Sequence, residues 1–137
     1  MEKVVVLIDG EHRPEVTAEA LQRIADEYRI VAAICLGGTE KLEHDRSLEV
    51  LGVPVIIGLD CLHEIEQIIA LYNPQRVIDL SDDPVLDYAK RFAVASRVIA
   101  LGITYSGSDF VFTAAPGRIS SKKPSISIVG AGKRVGK

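Results

Sequence analysis

The sequence has no tryptophan, one methionine, one asparagine and three histidines in 137 residues. Scarcity of asparagine and methionine, both thermally labile, suits a thermophile. Two cysteines, Cys35 and Cys61, are too few for a disulfide framework and lack metal-ligand spacing. Both sit in apolar contexts and are expected to be reduced and buried. Long hydrophobic runs are absent. "VVVLI" falls far short of the ~20 apolar residues that span a bilayer, so no membrane association is expected. The first residues, "MEKVVVLIDGEH", are acidic rather than basic ahead of their short apolar run. That is not the pattern of a secretory signal, and a cytoplasmic location is expected. Acids are missing after Asp109. Residues 1–117 carry 10 Lys/Arg against 19 acids, net −9, while residues 118–137 carry six basic residues, net +6. The acidic body argues against a nucleic-acid partner, because polyanion affinity needs clustered cations. The basic tail suits a polyanion or half of a phosphate site.

What is present alternates in period. "KVVVLID" (3–9) reads as a buried strand ending at Asp-Gly. Val16, Ala20, Leu21, Ile24, Ala25 and Tyr28 repeat at helical spacing behind Pro14. "IVAAICL" (30–36) is a second strand, closed by Gly37-Gly38. Thr39 caps a helix that ends near Gly52. "VPVII" (53–57) is a third strand, and Asp60 caps a helix bearing Leu62, Ile65, Ile69 and Tyr72, stopped by Asn73-Pro74. "RVIDL" (76–80) is a fourth strand. Asp83-Pro84 opens a helix with Val85, Tyr88, Ala89, Phe92 and Ala93 on one side, and "RVIAL" (97–101) is a fifth strand. Two short strand-like pieces then surround Ser106-Gly107-Ser108.

Such alternation predicts an α/β fold: a three-layer, mostly parallel, five-stranded Rossmann-like sheet of order 3-2-1-4-5, with one or two extra C-terminal strands. Residues 1–117 form this domain. "RISSKKP" (118–124) reads as a linker, and residues 125–137 as the truncated start of a second domain.

Ligands of such sheets bind beyond the carboxyl ends of the strands, at the switch point. The first strand is followed by Asp9, Gly10, Glu11 and His12, and the fourth ends in Asp79, Ser81, Asp82 and Asp83. In the predicted order these loops adjoin. Their carboxylates can hold Mg²⁺ or supply a general base, with Asp9, Glu11, His12 and Asp82 the candidates. Equally, Asp82 or Asp83 can be a helix cap, and Asp9 can bond amides of its own turn. Gly37, Gly38 and Thr39 open a helix whose free N–H groups can receive an anion, with Lys41 nearby; an ordinary turn serves as well. His44 and His63 read as structural or surface residues. Tyr105, Phe110 and Phe112 read as core or interface.

The last stretch, Gly130-Ala131-Gly132-Lys133-Arg134-Val135-Gly136-Lys137, follows the apolar "SISIV". Ala131 to Gly136-Lys137 fits a relaxed phosphate loop, whose amides cradle phosphate while the lysine reaches the outer phosphates. The Ser/Thr for Mg²⁺ and the helix that complete such a loop would follow Lys137.

"LIDGEH", "LGGTEKL", "VIDLSDDPVL", "YSGSDF" and "KPSISIVGAGKRVGK" together resemble the amino-terminal part of the cyclic 2,3-diphosphoglycerate synthetase family. The resemblance covers essentially the whole chain, and about the first third of such a protein. It implies an archaeal, ATP- and Mg²⁺-dependent ligase that closes 2,3-diphosphoglycerate into an intramolecular phosphoanhydride. ATP phosphorylates one phosphate of the substrate and the other attacks it. Lys133, Arg134 and Lys137 match the demand for cations around a highly anionic substrate. The implied partners are the remainder of the parent chain, a phosphorylated small molecule and a second copy in a homodimer. On this reading the fragment alone is inactive and supplies substrate-site capping or dimerisation. The alternative is a stand-alone Rossmann-like module that binds a nucleotide or phosphometabolite.

Overall fold

A computed structural model describes residues 1–37, 51–58, 61–83, 85–114 and 122–124, together with 126, 128 and 130. The expected helix between Thr39 and Gly52 and the Asp60 cap lie outside the described residues, as does His44. The elements run β1 (Lys3–Ile8), α1 (Pro14–Ala25), β2 (Arg29–Cys35), β3 (Val55–Ile57), α2 (Cys61–Tyr72), β4 (Arg76–Asp79), α3 (Tyr88–Ala100), β5 (Thr104–Ser106) and β6 (Val111–Phe112). They form a six-stranded sheet of order β3-β2-β1-β4-β5-β6. Every pairing is parallel except β5 with β6. The predicted order therefore holds, with the switch point between β1 and β4.

The period of two sorts β1 between two cores. Val5 and Leu7 join Ile65, Ile68, Ile69, Val94, Ala95 and Val98 of α2 and α3. Val4, Val6 and Ile8 face the other way, against Leu21 of α1, Ala33, Cys35 and Leu51. Burial on both faces explains why these strands read as continuous apolar runs. Cys35 is buried and unpaired, as expected.

One expected strand is corrected. "RVIAL" (97–101) is not β5 but the end of α3 and the residue after it. Val94, Ala95 and Val98 are buried at helical spacing, and Gly102, at φ 83°, ends the helix in the left-handed conformation that glycine takes without strain. β5 begins two residues later. The start of this helix also shifts: Asp87 caps α3, its carboxylate accepting from the Lys90 amide at 2.9 Å. The face that packs inward is accordingly Val94, Ala95 and Val98, while Tyr88 and Phe92 are exposed. Asn73 does end α2, at φ 47°.

In the apolar "SISIV", Ile126 and Ile128 carry no strand assignment and are 94% and 78% exposed.

Candidate functional site at the switch point

The carboxyl ends of β1, β2 and β4 bring three loops together. Asp9 closes β1 and is buried. Its Oδ1 accepts from the amides of Glu11 (3.0 Å) and His12 (3.3 Å) and lies 2.8 Å from His12 Nδ1. Its Oδ2 accepts from the Asp82 amide at 2.9 Å. Three of these bonds converge on Oδ1 and one on Oδ2. Burial works against the charge on Asp9, but the hydrogen bonds from the Asp82 amide, the His12 ring and the Glu11 amide outweigh it. They hold the carboxyl below its ordinary range. Asp9 thus ties the β1 loop to the β4 loop, the role of a carboxylate that bonds amides around its own turn.

His12 is held by the same bond. Its Nδ1 faces Asp9, and its Nε2 lies 3.4 Å from Asp82 Oδ2. The hydrogen bond and charge of Asp9, with smaller contributions from Asp82 and Glu11, raise the imidazole above its ordinary value. The ring is 43% exposed and the Asp82 side chain 71% exposed. His12 therefore presents a donor at the rim, and Asp82 is a partner that can swing away. Glu11 is also exposed.

Gly37 is drawn in by its backbone. The Gly10 amide donates to the Gly37 carbonyl at 2.8 Å, as does the Cys35 thiol at 3.5 Å. A Cβ at position 37 would sit 3.0 Å from Val85 Cγ1, so glycine lets the β2 loop approach the β4 loop. Gly38, Thr39 and Lys41 lie outside the described residues.

A second buried carboxylate stands beside the first, with partners that the sequence did not point to. Asp79, at the end of β4, accepts from the Ser81 amide (2.9 Å) and hydroxyl, from Arg91 Nε (2.9 Å) and from the Tyr105 hydroxyl (2.5 Å). Arg91 Nη2 also donates to the Ser81 carbonyl at 2.6 Å. An acid closing an apolar strand was the available signal, but its partners lie 12 and 26 residues away.

Beside Asp9 and His12 lies a cavity of about 170 Å³, walled by Ile8, Val16, Thr17, Ala20 and Leu80. Pockets that enclose a small ligand occupy about 300–1,000 Å³, so this one suits part of a ligand. Among the described residues no group of three or more His, Cys, Asp or Glu is placed to hold a metal ion. No described helix is long and apolar enough to cross a membrane. Ala131, Gly132, Lys133, Arg134, Val135, Gly136 and Lys137 of the expected phosphate loop lie outside the described residues, and Gly130 is half-buried.

A mostly parallel sheet with a polar crevice at its switch point defines a Rossmann-like α/β domain. Residues 3–113 match the family model described as cyclic 2,3-diphosphoglycerate synthetase, N-terminal domain, and the chain belongs to that family. It is 47% identical over 134 residues to the cyclic 2,3-diphosphoglycerate synthetase of Thermococcus kodakarensis, covering 97% of this chain and 30% of the relative. It is 39% identical over 137 residues to that of Rubrobacter xylanophilus (98% and 30%) and 40% identical over 144 residues to that of Methanothermus fervidus (98% and 31%). The chain thus spans less than a third of the length of the curated relatives it matches.

Proposed function

We propose that this chain is the amino-terminal domain of an ATP- and Mg²⁺-dependent synthetase that closes 2,3-diphosphoglycerate into a cyclic phosphoanhydride. On this reading residues 1–117 are one folding unit, 118–124 a linker, and 125–137 the start of the unit that binds ATP. The exposed Ile126 and Ile128 support that division, since an apolar segment without a covering layer belongs to a core that lies elsewhere.

The domain's part is to cap the substrate site. The observation that carries this is the crevice itself, rigid within and polar at the rim. Asp9 locks the β1 and β4 loops, while His12 remains half-exposed beside a cavity too small for a whole substrate. His12 donates to a substrate phosphate, and Asp82 yields its place at Nε2. On this reading the Mg²⁺ belongs with the triphosphate cradle that the sequence from Ala131 to Lys137 begins.

The test joins residues 1–137 to the part of the Thermococcus kodakarensis relative that follows its matched segment. His12→Ala in this fusion is expected to lower kcat/KM for 2,3-diphosphoglycerate by roughly 10–100-fold and leave ATP affinity unchanged. Unchanged kinetics for His12→Ala would remove the capping role. Saturable nucleotide binding by residues 1–137 alone, undisturbed by deleting 125–137, would instead favour a stand-alone binding module.

A further inference from the structure

Aromatic rings collect at the far edge of the sheet. Tyr88 and Phe92 stand on α3, and Phe110 and Phe112 on the β5–β6 hairpin. Ring centroids lie 4.7 Å apart for Tyr88 and Phe92, 6.1 Å for Phe92 and Phe112, 5.1 Å for Phe112 and Phe110, and 5.8 Å for Phe110 and Tyr105. The series runs from solvent into the core. At its outer end Tyr88 is 76% exposed and Phe92 44%. A cavity of about 280 Å³ opens among Tyr88, Arg91, Phe92, Asp109, Phe110 and Phe112. A contiguous aromatic surface of this kind marks an interaction site, because each ring loses favourable burial while it faces water.

The occupant follows from where the chain goes. β6 is the last strand of the sheet, and the match to the amino-terminal domain family stops at residue 113, directly after it. The relatives continue for more than twice the length of this chain. Their next domain is therefore tethered at the rim of the ring cluster. A short tether gives an effective concentration on the order of millimolar, which a second copy in dilute solution does not reach. Ile126 and Ile128, uncovered as well, place apolar surface on the other side of the junction.

We propose that the ring cluster of α3 and β6 is the docking face for an apolar surface of the domain that follows in the same polypeptide. The proposal rests on the reading of this chain as an amino-terminal domain, and cyclisation by the fusion tests that reading separately. Hydroxyl-radical footprinting of Tyr88 and Phe92 tests the docking face. The rings are compared in residues 1–137 and in the same fusion to the Thermococcus kodakarensis relative. Their oxidation rates are expected to fall roughly fivefold or more in the fusion, the change from an exposed ring to one in an interface core, and to do so at any protein concentration. Tyr88→Ser with Phe92→Ser is expected to speed proteolysis within 118–124 of the fusion about fivefold, as the docked state is lost. Equal oxidation rates in both proteins would overturn the proposal. Protection that rises with concentration in residues 1–137 alone would also overturn it, assigning the face to a second copy.

Discussion

The crevice and the ring cluster lie on one sheet and are built in opposite ways. At the carboxyl ends of β1 and β4, buried polar atoms meet partners and three loops are tied to one another. At the α3–β6 edge, apolar rings meet water. Among the described residues, the buried carboxylates of the first region find their partners within this chain, whereas the outer rings of the second face solvent. They are also connected. Arg91 lines the ring cavity and donates to Asp79 and the Ser81 carbonyl, so one side chain belongs to both regions.

The sharpest way to break this contrast is Asp9→Ala. It leaves the part-buried amides of Glu11, His12 and Asp82 without their acceptor, and is expected to cost about 2–4 kcal/mol in a urea titration of residues 1–137. Next is Gly37→Ala, whose Cβ meets Val85. A loss of about 1–2 kcal/mol is expected, with Val85→Ala in the same chain restoring part of it. A smaller effect, about 1 kcal/mol, is expected for Tyr105→Phe, which removes one donor to Asp79. At the other region Phe92→Ser is expected to change the stability of residues 1–137 by no more than ~0.5 kcal/mol. A large loss there would mean that the rings belong to this domain's own core.

The pH dependence sharpens the same contrast. His12 titrates higher in the folded chain than its ordinary value, so its contribution is fully present below about pH 6.5. It fades as pH rises through the higher folded value. The difference in thermal midpoint between the native chain and His12→Ala is therefore expected to be larger at about pH 6 than at about pH 9. Asp9 shifts the opposite way, so its contribution holds above the ordinary carboxylate range and is lost as acid takes the pH down through its lower folded value.

Much of the sheet could be read from residue order. β1, β2 and β4 are buried on both faces, so their β-branched runs stand out, and alternating helical spacings set the parallel order. "RVIAL" misled because a short apolar run looks alike in a strand and in a buried helix end. Its spacing to Val94 and Ala95, with Gly102 beyond, was the distinguishing signal. In the crevice, the meeting of Asp9, His12 and Asp82 followed from strand order. Whether Asp9 was a ligand or a tie did not, because that depends on how many amides reach it. The pairing of Asp79 was hidden because Arg91 and Tyr105 approach it only through tertiary packing.

Asp9 also makes a clock of the crevice. The amide protons of Glu11, His12 and Asp82 all point at one carboxylate. If they can exchange with solvent only when that carboxylate lets go, a single opening event governs all three, and their deuterium uptake will share one rate. Amides on two loops far apart along the chain would then report the same local breath of the molecule, before any ligand is added.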